Sequence, residues 1–196
     1  MMTPLLFGLL ACGLGDPPVD PFAAQVEAAL AAPLPEDSLY TMELPLVDSH
    51  GEEASLAAGH GHPTLISMFY ASCPTACPML VGEVQSMEAR LTPEERADLR
   101  VVLVSLDPDR DTPEALAEAA ERYGVDGTRW TLNRTEDAHV RTLSALLDIQ
   151  YRDLPDGEMN HSSILTLLDR QGRVVARREG LGGTVDPLVE ALRQVP

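Results

Sequence analysis

Two short apolar runs, separated by a segment of helix length, constrain the fold of this chain more than anything else in its sequence. Thr64-Leu-Ile-Ser-Met-Phe-Tyr70 and Val101-Val-Leu-Val-Ser-Leu106 are rich in strand formers and show no polar alternation. That is the pattern of strands covered on both faces. Between them Leu80, Val84, Met87 and Leu91 recur at helical spacing behind Pro78, which suits a first helical turn. Strand, helix and strand of this kind make a parallel βαβ unit, whose sheet needs helices on both faces.

The rest of the chain extends the alternation. Thr92-Pro-Glu-Glu95 reads as a capping box with proline at the first helical position. Thr112-Pro113 opens a helix to about Tyr123, Trp130-Thr-Leu132 makes a brief strand, and Thr135 is expected to cap a helix carrying Val140, Leu143 and Leu147. Residues 163–168 and 173–178 should pair as a hairpin about Asp169-Arg-Gln-Gly172, and Asp186-Pro187 starts a last helix with Leu188 and Leu192 inward. Upstream lie a short helical stretch over residues 22–32 and a strand-like alternation over residues 40–47, where Pro45 suggests an edge. Parallel units followed by an antiparallel hairpin and a terminal helix are the thioredoxin-like order: an α/β fold with a mixed central sheet and flanking helices. We assign it to residues 37–196, after a linker and short helical stretch over 13–36.

The formal charge of −17, with no basic cluster, argues against a nucleic-acid partner. All 14 basic residues are arginine, which removes lysine as a catalytic amine. At the start, Leu5-Leu-Phe-Gly-Leu-Leu-Ala11 is too short to span a membrane but suits the core of a signal peptide. It ends at Cys12, and Leu9-Leu-Ala-Cys12 resembles the lipobox of bacterial lipoproteins. The expectation is a leader over residues 1–12 and an exported protein, facing the periplasm or cell exterior, anchored to the membrane through lipidated Cys12. A free cysteine near a disordered end is the alternative. Gly15, Pro17, Pro18 and Pro21 give the following segment a linker's composition.

The chemistry gathers at Cys73-Pro-Thr-Ala-Cys77-Pro78, where a buried strand runs into a helix. Thiols four residues apart on a helical turn share a face, and the positive helix end favours thiolate over thiol. Two thiolates are soft donors suited to Cu(I), zinc or iron–sulfur chemistry, yet a single pair does not close a tetrahedral site. A third donor must come from elsewhere. Of the five histidines, His161 in Glu158-Met-Asn-His-Ser-Ser163 precedes the hairpin strand. A thioredoxin-like sheet brings that loop to the cysteine end, though a lone loop histidine is more often simply solvated. His60-Gly-His62 could bind metal as a close pair, with His50 adding to it, but a flexible solvated loop is the favoured reading. Met87 is read as core filler, Met79 as packed nearby, and Met159 is left open.

Three motifs together resemble the Sco/SenC family of copper chaperones, over roughly residues 40–194. Cys73-Pro-Thr-Ala-Cys77-Pro resembles the family's Cys-Pro-x-x-Cys-Pro, and Ser105-Leu-Asp-Pro-Asp-Arg-Asp-Thr-Pro113 its Ser-x-Asp-Pro-x-Arg-Asp-Thr-Pro. His161-Ser162 matches its ligand histidine followed by serine. The resemblance implies one copper ion, Cu(I) or Cu(II), held by Cys73, Cys77 and His161. It also implies a role in assembling the copper centre of cytochrome c oxidase, with that enzyme's copper-bearing subunit or another copper protein as partner, and a thiol reductant. Thr75 and Asn160 stand where the family commonly has aspartate, which puts the usual redox tuning and the partner's identity in question. Asp107, Arg110 and Asp111 resemble the family's structural and recognition segment, although helix capping by Asp111 or Thr112 is the simpler reading. The rival function is an exported thiol–disulfide oxidoreductase using the same pair, but the thioredoxin motif has two intervening residues and this one has three. A peroxidase fits poorly, since Tyr70 and Pro74 occupy the place of that class's threonine before Cys73 and Cys77.

Overall fold

The computed structural model describes residues 20–155 and 157–196. The leader, Cys12 and residues 13–19 of the linker lie outside the described residues. In chain order come α1 (Ala23–Ala31), β1 (Leu46–Asp48), β2 (Glu53–Ala54), β3 (Thr64–Phe69), α2 (Ala76–Glu88) and α3 (Pro93–Asp98). Then follow β4 (Arg100–Ser105), α4 (Pro113–Tyr123), β5 (Trp130–Arg134), α5 (Asp137–Leu146), β6 (Tyr151–Asp153) and β7 (Met159–His161). A hairpin of β8 (Ile164–Leu168) and β9 (Val174–Glu179) leads into α6 (Asp186–Arg193). No helix among the described residues is long and apolar enough to cross a membrane.

Seven strands form one sheet in the order β2-β1-β5-β4-β3-β8-β9, and β6 with β7 makes a separate two-stranded ribbon. Strand β3 lies parallel to β4, from Thr64 opposite Arg100 to Phe69 opposite Ser105, and antiparallel to β8. All six β3 residues are buried, and Leu65, Ile66, Met68 and Phe69 pack with Leu80, Val84 and Met87 of α2 in one core. The fold is thioredoxin-like, as the apolar runs and capped helices led us to expect. The capping box at Thr92 is present in full, and Thr112 caps α4 through the Ala115 N–H.

Three expectations fail here. Over residues 40–47 only β1 is a strand; Leu39–Thr41 is a 3-10 turn instead, with Ser38 Oγ accepting the Tyr40 N–H at 3.1 Å. The apolar alternation there serves core packing, and Tyr40 lies so close to Gly172 that a Cβ on that glycine would approach its ring to 2.6 Å. Pro45 precedes β1, which is not an edge, since the two-residue β2 covers it. Thr135 does not cap α5: its hydroxyl donates to the Pro45 carbonyl at 2.7 Å, and Glu136 holds the cap position without a side-chain bond.

His60 and His62 are likewise not a solvated loop. His60 Nε2 bonds the Ala29 carbonyl at 3.0 Å, seating α1 on the domain. His62 Nδ1 meets Asp98 Oδ1 at 2.7 Å, while its Nε2 faces the Arg100 guanidinium at 3.1 Å. Arginine only donates, so Nε2 is the acceptor and Nδ1–H donates to Asp98. Arg170, 4 % exposed, reaches the 8 % exposed Asp98 at 2.8 Å from the turn between β8 and β9. Burial pushes the Asp98 carboxyl up, but the hydrogen bonds from His62 and Arg170 outweigh it and leave the group below its ordinary range. Removing one member of a buried pair strands the other's charge, at about 3 kcal/mol. Asp98→Asn should therefore lower the urea midpoint by that equivalent with little change in slope; an unchanged midpoint would show the pair to be dispensable.

Candidate metal centre

The cysteine loop begins where β3 ends, and its backbone is fixed before the first thiol is reached. The Ala71 N–H donates to Asp111 Oδ2 at 2.9 Å, and the Ala71 carbonyl accepts from Arg122 at 2.9 Å. Asp111 is 1 % exposed and also accepts from Ser105 Oγ at 2.5 Å. Its role is thus to tie the end of β4 to the cysteine loop, and the capping role considered for it falls to Thr112 alone. Burial pushes the Asp111 carboxyl up, against the Ser105 and Ala71 bonds.

Helix α2 starts without a side-chain cap from Thr75. Instead the Cys77 N–H donates to Cys73 Sγ at 3.2 Å, so the sulfur of Cys73 takes the place of a capping oxygen. An anion is the better acceptor at a positive helix end. The Cys77 thiol bonds to Cys73, and with the N–H groups of Cys77 and Thr75 it outweighs burial and lowers the Cys73 pKa to about 4. The same bond, together with burial, raises that of Cys77. The reduced pair therefore carries one thiolate and one thiol, sharing a proton.

His161 is brought in by β7, at the end of the separate ribbon. Its Nε2 lies 3.8 Å from Cys77 Sγ, and the donor atoms of Cys73, Cys77 and His161 all lie within 4.8 Å of one another. Among the described residues this is the one group of three or more such side chains close enough to hold an ion. His161 Nδ1 is 3.1 Å from the Ser162 carbonyl, so in the neutral ring Nδ1 carries the proton and Nε2 presents its lone pair to the sulfurs. With metal–sulfur and metal–nitrogen bonds of about 2.3 and 2.1 Å, as at zinc, two ligands of a trigonal centre sit about 3.8 Å apart. The three side chains fit a soft metal ion.

Around them is a depression of about 240 Å³ lined by Tyr70, Cys73, Pro74, Thr75, Met159 and His161, among others. The exposed Thr75 and Asn160 stand on its rim. Met159 is buried in the core, whereas Met79 is 47 % exposed rather than packed, and His50, His60 and His62 stand apart from the group. Sequence places Tyr70 at the end of a strand and in the position of a peroxidase threonine, and assigns it no role at the centre. Its ring meets the His161 ring edge-on at 5.7 Å, and its hydroxyl donates to Glu158 Oε2 at 2.9 Å. The position of Tyr70 just before the cysteines was the available signal.

A sequence model of the SCO1/SenC family matches residues 33–195. An SCO2-like protein of Rickettsia typhi is 26 % identical over 133 residues, which cover 66 % of this chain and 65 % of the relative. The chain thus matches a little under two thirds of that relative's length. Among solved structures, ScoI of Bradyrhizobium japonicum with copper bound is 24 % identical, with a TM-score of 0.62 over 78 % of this chain and 97 % of the other. A SCO1/SenC family lipoprotein from Bacillus anthracis is 19 % identical, with a TM-score of 0.71 over 83 % and 99 %.

The shared proton has a kinetic signature. An ordinary thiol loses reactivity as pH falls below about 8.5. Cys73 should stay thiolate, and its alkylation rate in the reduced, metal-free protein level, until pH approaches about 4. A rate that instead falls near pH 8.5 would show that Cys77 does not share its proton.

Proposed function

The chain belongs to the SCO1/SenC family, and on that premise we propose that it is a copper metallochaperone. It binds one copper ion through Cys73, Cys77 and His161 and assists assembly of the copper centre of cytochrome c oxidase. The observation that carries this reading is the cluster of two sulfurs and one imidazole nitrogen within 4.8 Å. Thiolates favour Cu(I), and imidazole accommodates copper in either oxidation state. Copper is cargo here. Three protein donors leave the ion open on the side of the depression, where a donor from the receiving protein can enter before the first bonds break.

The chain's own groups suit loading and release. The Cys73 thiolate needs no proton removed before it accepts a metal, whereas Cys77 must give up its proton, so loading releases hydrogen ion. Oxidation of the pair to a disulfide removes both soft donors, and a thiol reductant restores them. One observation also favours the oxidoreductase reading: a lowered Cys73 beside a protonated Cys77 is the arrangement of an attacking and a resolving thiol. His161 separates the two, because a reductase has no need of it.

Cu(I) competition titrations and Cu(II) spectra of the reduced protein test this. Cys73→Ser and Cys77→Ser should each abolish tight binding. His161→Ala should keep residual Cu(I) affinity on two sulfurs but lose or strongly alter the sulfur-to-copper charge-transfer band of Cu(II). A His161→Ala protein indistinguishable from wild type would defeat the assignment.

For the location, we propose an exported lipoprotein held to the membrane by Cys12, on the strength of the apolar leader and lipobox-like Leu9-Leu-Ala-Cys12. Mass spectrometry of the native protein should find a lipidated Cys12 at the N-terminus. A chain that retains Met1, or one cut beyond Cys12 without lipid, would rule the anchor out.

A further inference from the structure

The ribbon that carries His161 forms no ladder with the main sheet, since β6 and β7 pair only with each other. What fixes its tip to the rest of the domain is therefore a matter of a few side chains. From below, Met159 is buried in the core, and the Tyr70 hydroxyl reaches Glu158 and the Met159 carbonyl. From the side comes Arg110, out of the loop between β4 and α4. Its Nη1 donates to the Gly157 carbonyl at 2.7 Å, and its Nε donates to Asp107 Oδ2. Gly157 sits at φ +84°, a conformation that suits glycine and turns its carbonyl toward Arg110.

Asp107 is no loose anchor. It is 8 % exposed, its N–H donates to Ser105 Oγ at 2.9 Å, and its carbonyl accepts the N–H groups of Arg110 and Asp111. Ser105 in turn donates to Asp111, which holds the cysteine loop through the Ala71 N–H. One loop thus has two arms. Asp111 reaches the segment that carries Cys73 and Cys77, and Arg110 reaches the ribbon that carries His161, 84 residues from Cys77 in sequence.

We propose that Arg110 is a positioning residue for the metal centre, a clasp that holds the His161 ribbon at bonding distance from the two sulfurs. The inference rests on the copper-binding reading above. Arg110 touches none of the three donor atoms and acts through the ribbon alone. Its side chain is about half exposed, so its loss loosens the ribbon without opening the core. Lysine cannot replace it, because a single ammonium lacks the planar fork that serves Asp107 and the Gly157 carbonyl at once.

The test uses wild type, Arg110→Ala, Arg110→Lys and His161→Ala. In the reduced, metal-free proteins, hydrogen–deuterium exchange should rise over the ribbon, residues 151–161, in both Arg110 variants and stay unchanged in β3 and β4. In the Cu(II)-loaded proteins, the charge-transfer band should shift part of the way toward that of His161→Ala. Cu(I) affinity should fall by about tenfold, the worth of one hydrogen bond to a charged group. Arg110→Lys should rescue neither readout. Ribbon exchange and a Cu(II) band identical to wild type would overturn the clasp. So would exchange rising throughout the sheet, which would mark Arg110 as a general stabiliser. If wild type itself takes up no copper, the copper reading fails, and the exchange data still decide whether Arg110 holds the ribbon.

Discussion

Everything functional in this domain depends on the pairing of β3 with its two neighbours, parallel to β4 on one side and antiparallel to β8 on the other. Because β4 runs the same way as β3, the loop leaving β4 emerges beside the cysteine loop leaving β3. Because β8 runs the opposite way, the segment entering β8 arrives at that same end. The ladder of Thr64 opposite Leu168 and Ile66 opposite Thr166 brings the start of β8 level with the end of β3. Ser67 reinforces it by donating to the Ile164 carbonyl at 2.6 Å. Strand direction alone therefore gathers two sulfurs, an imidazole and their supporting loop at one end of the sheet, before any side chain is chosen.

Charge is then managed by local means. The helix end at α2 is left without a side-chain oxygen cap, and the Cys73 sulfur supplies the acceptor. That couples the first turn's backbone to the protonation of the pair: the negative charge that satisfies the helix is also one of the three candidate metal donors. A buried carboxylate nearby, Asp111, is spent on backbone and hydroxyl donors rather than on the metal group. It keeps the loop in place and leaves the sulfurs as the soft ligands.

The features readable from sequence were those whose cause is local. The unbroken apolar runs of β3 and β4, the capping box at Thr92 and the Thr112-Pro113 start each carry their reason within a few residues. The strand expected over residues 40–47 failed because Leu39 and Tyr40 are apolar for the sake of the core, a need that a 3-10 turn meets equally well. The β6–β7 ribbon was invisible, being three residues a side and mostly polar. His60 and His62 looked solvated because their partners, Ala29, Asp98 and Arg100, are about 30 to 40 residues away. At the centre itself, spacing singled out the two cysteines and the motif context singled out His161. The support from Tyr70 and Arg110 needed three dimensions.

The separation of the donors along the chain also bears on how the protein is made. Two of them lie four positions apart and exist as a near pair in any conformation, folded or not. The third, 84 positions from Cys77, joins them only when β8 has closed onto β3. Such distant closures are slow compared with the formation of a helix turn. A half-folded chain therefore presents only the two thiols, and the completed sheet adds the imidazole as the third donor. The imidazole thus reports that folding has finished, since all three donor atoms stand together only in the mature protein.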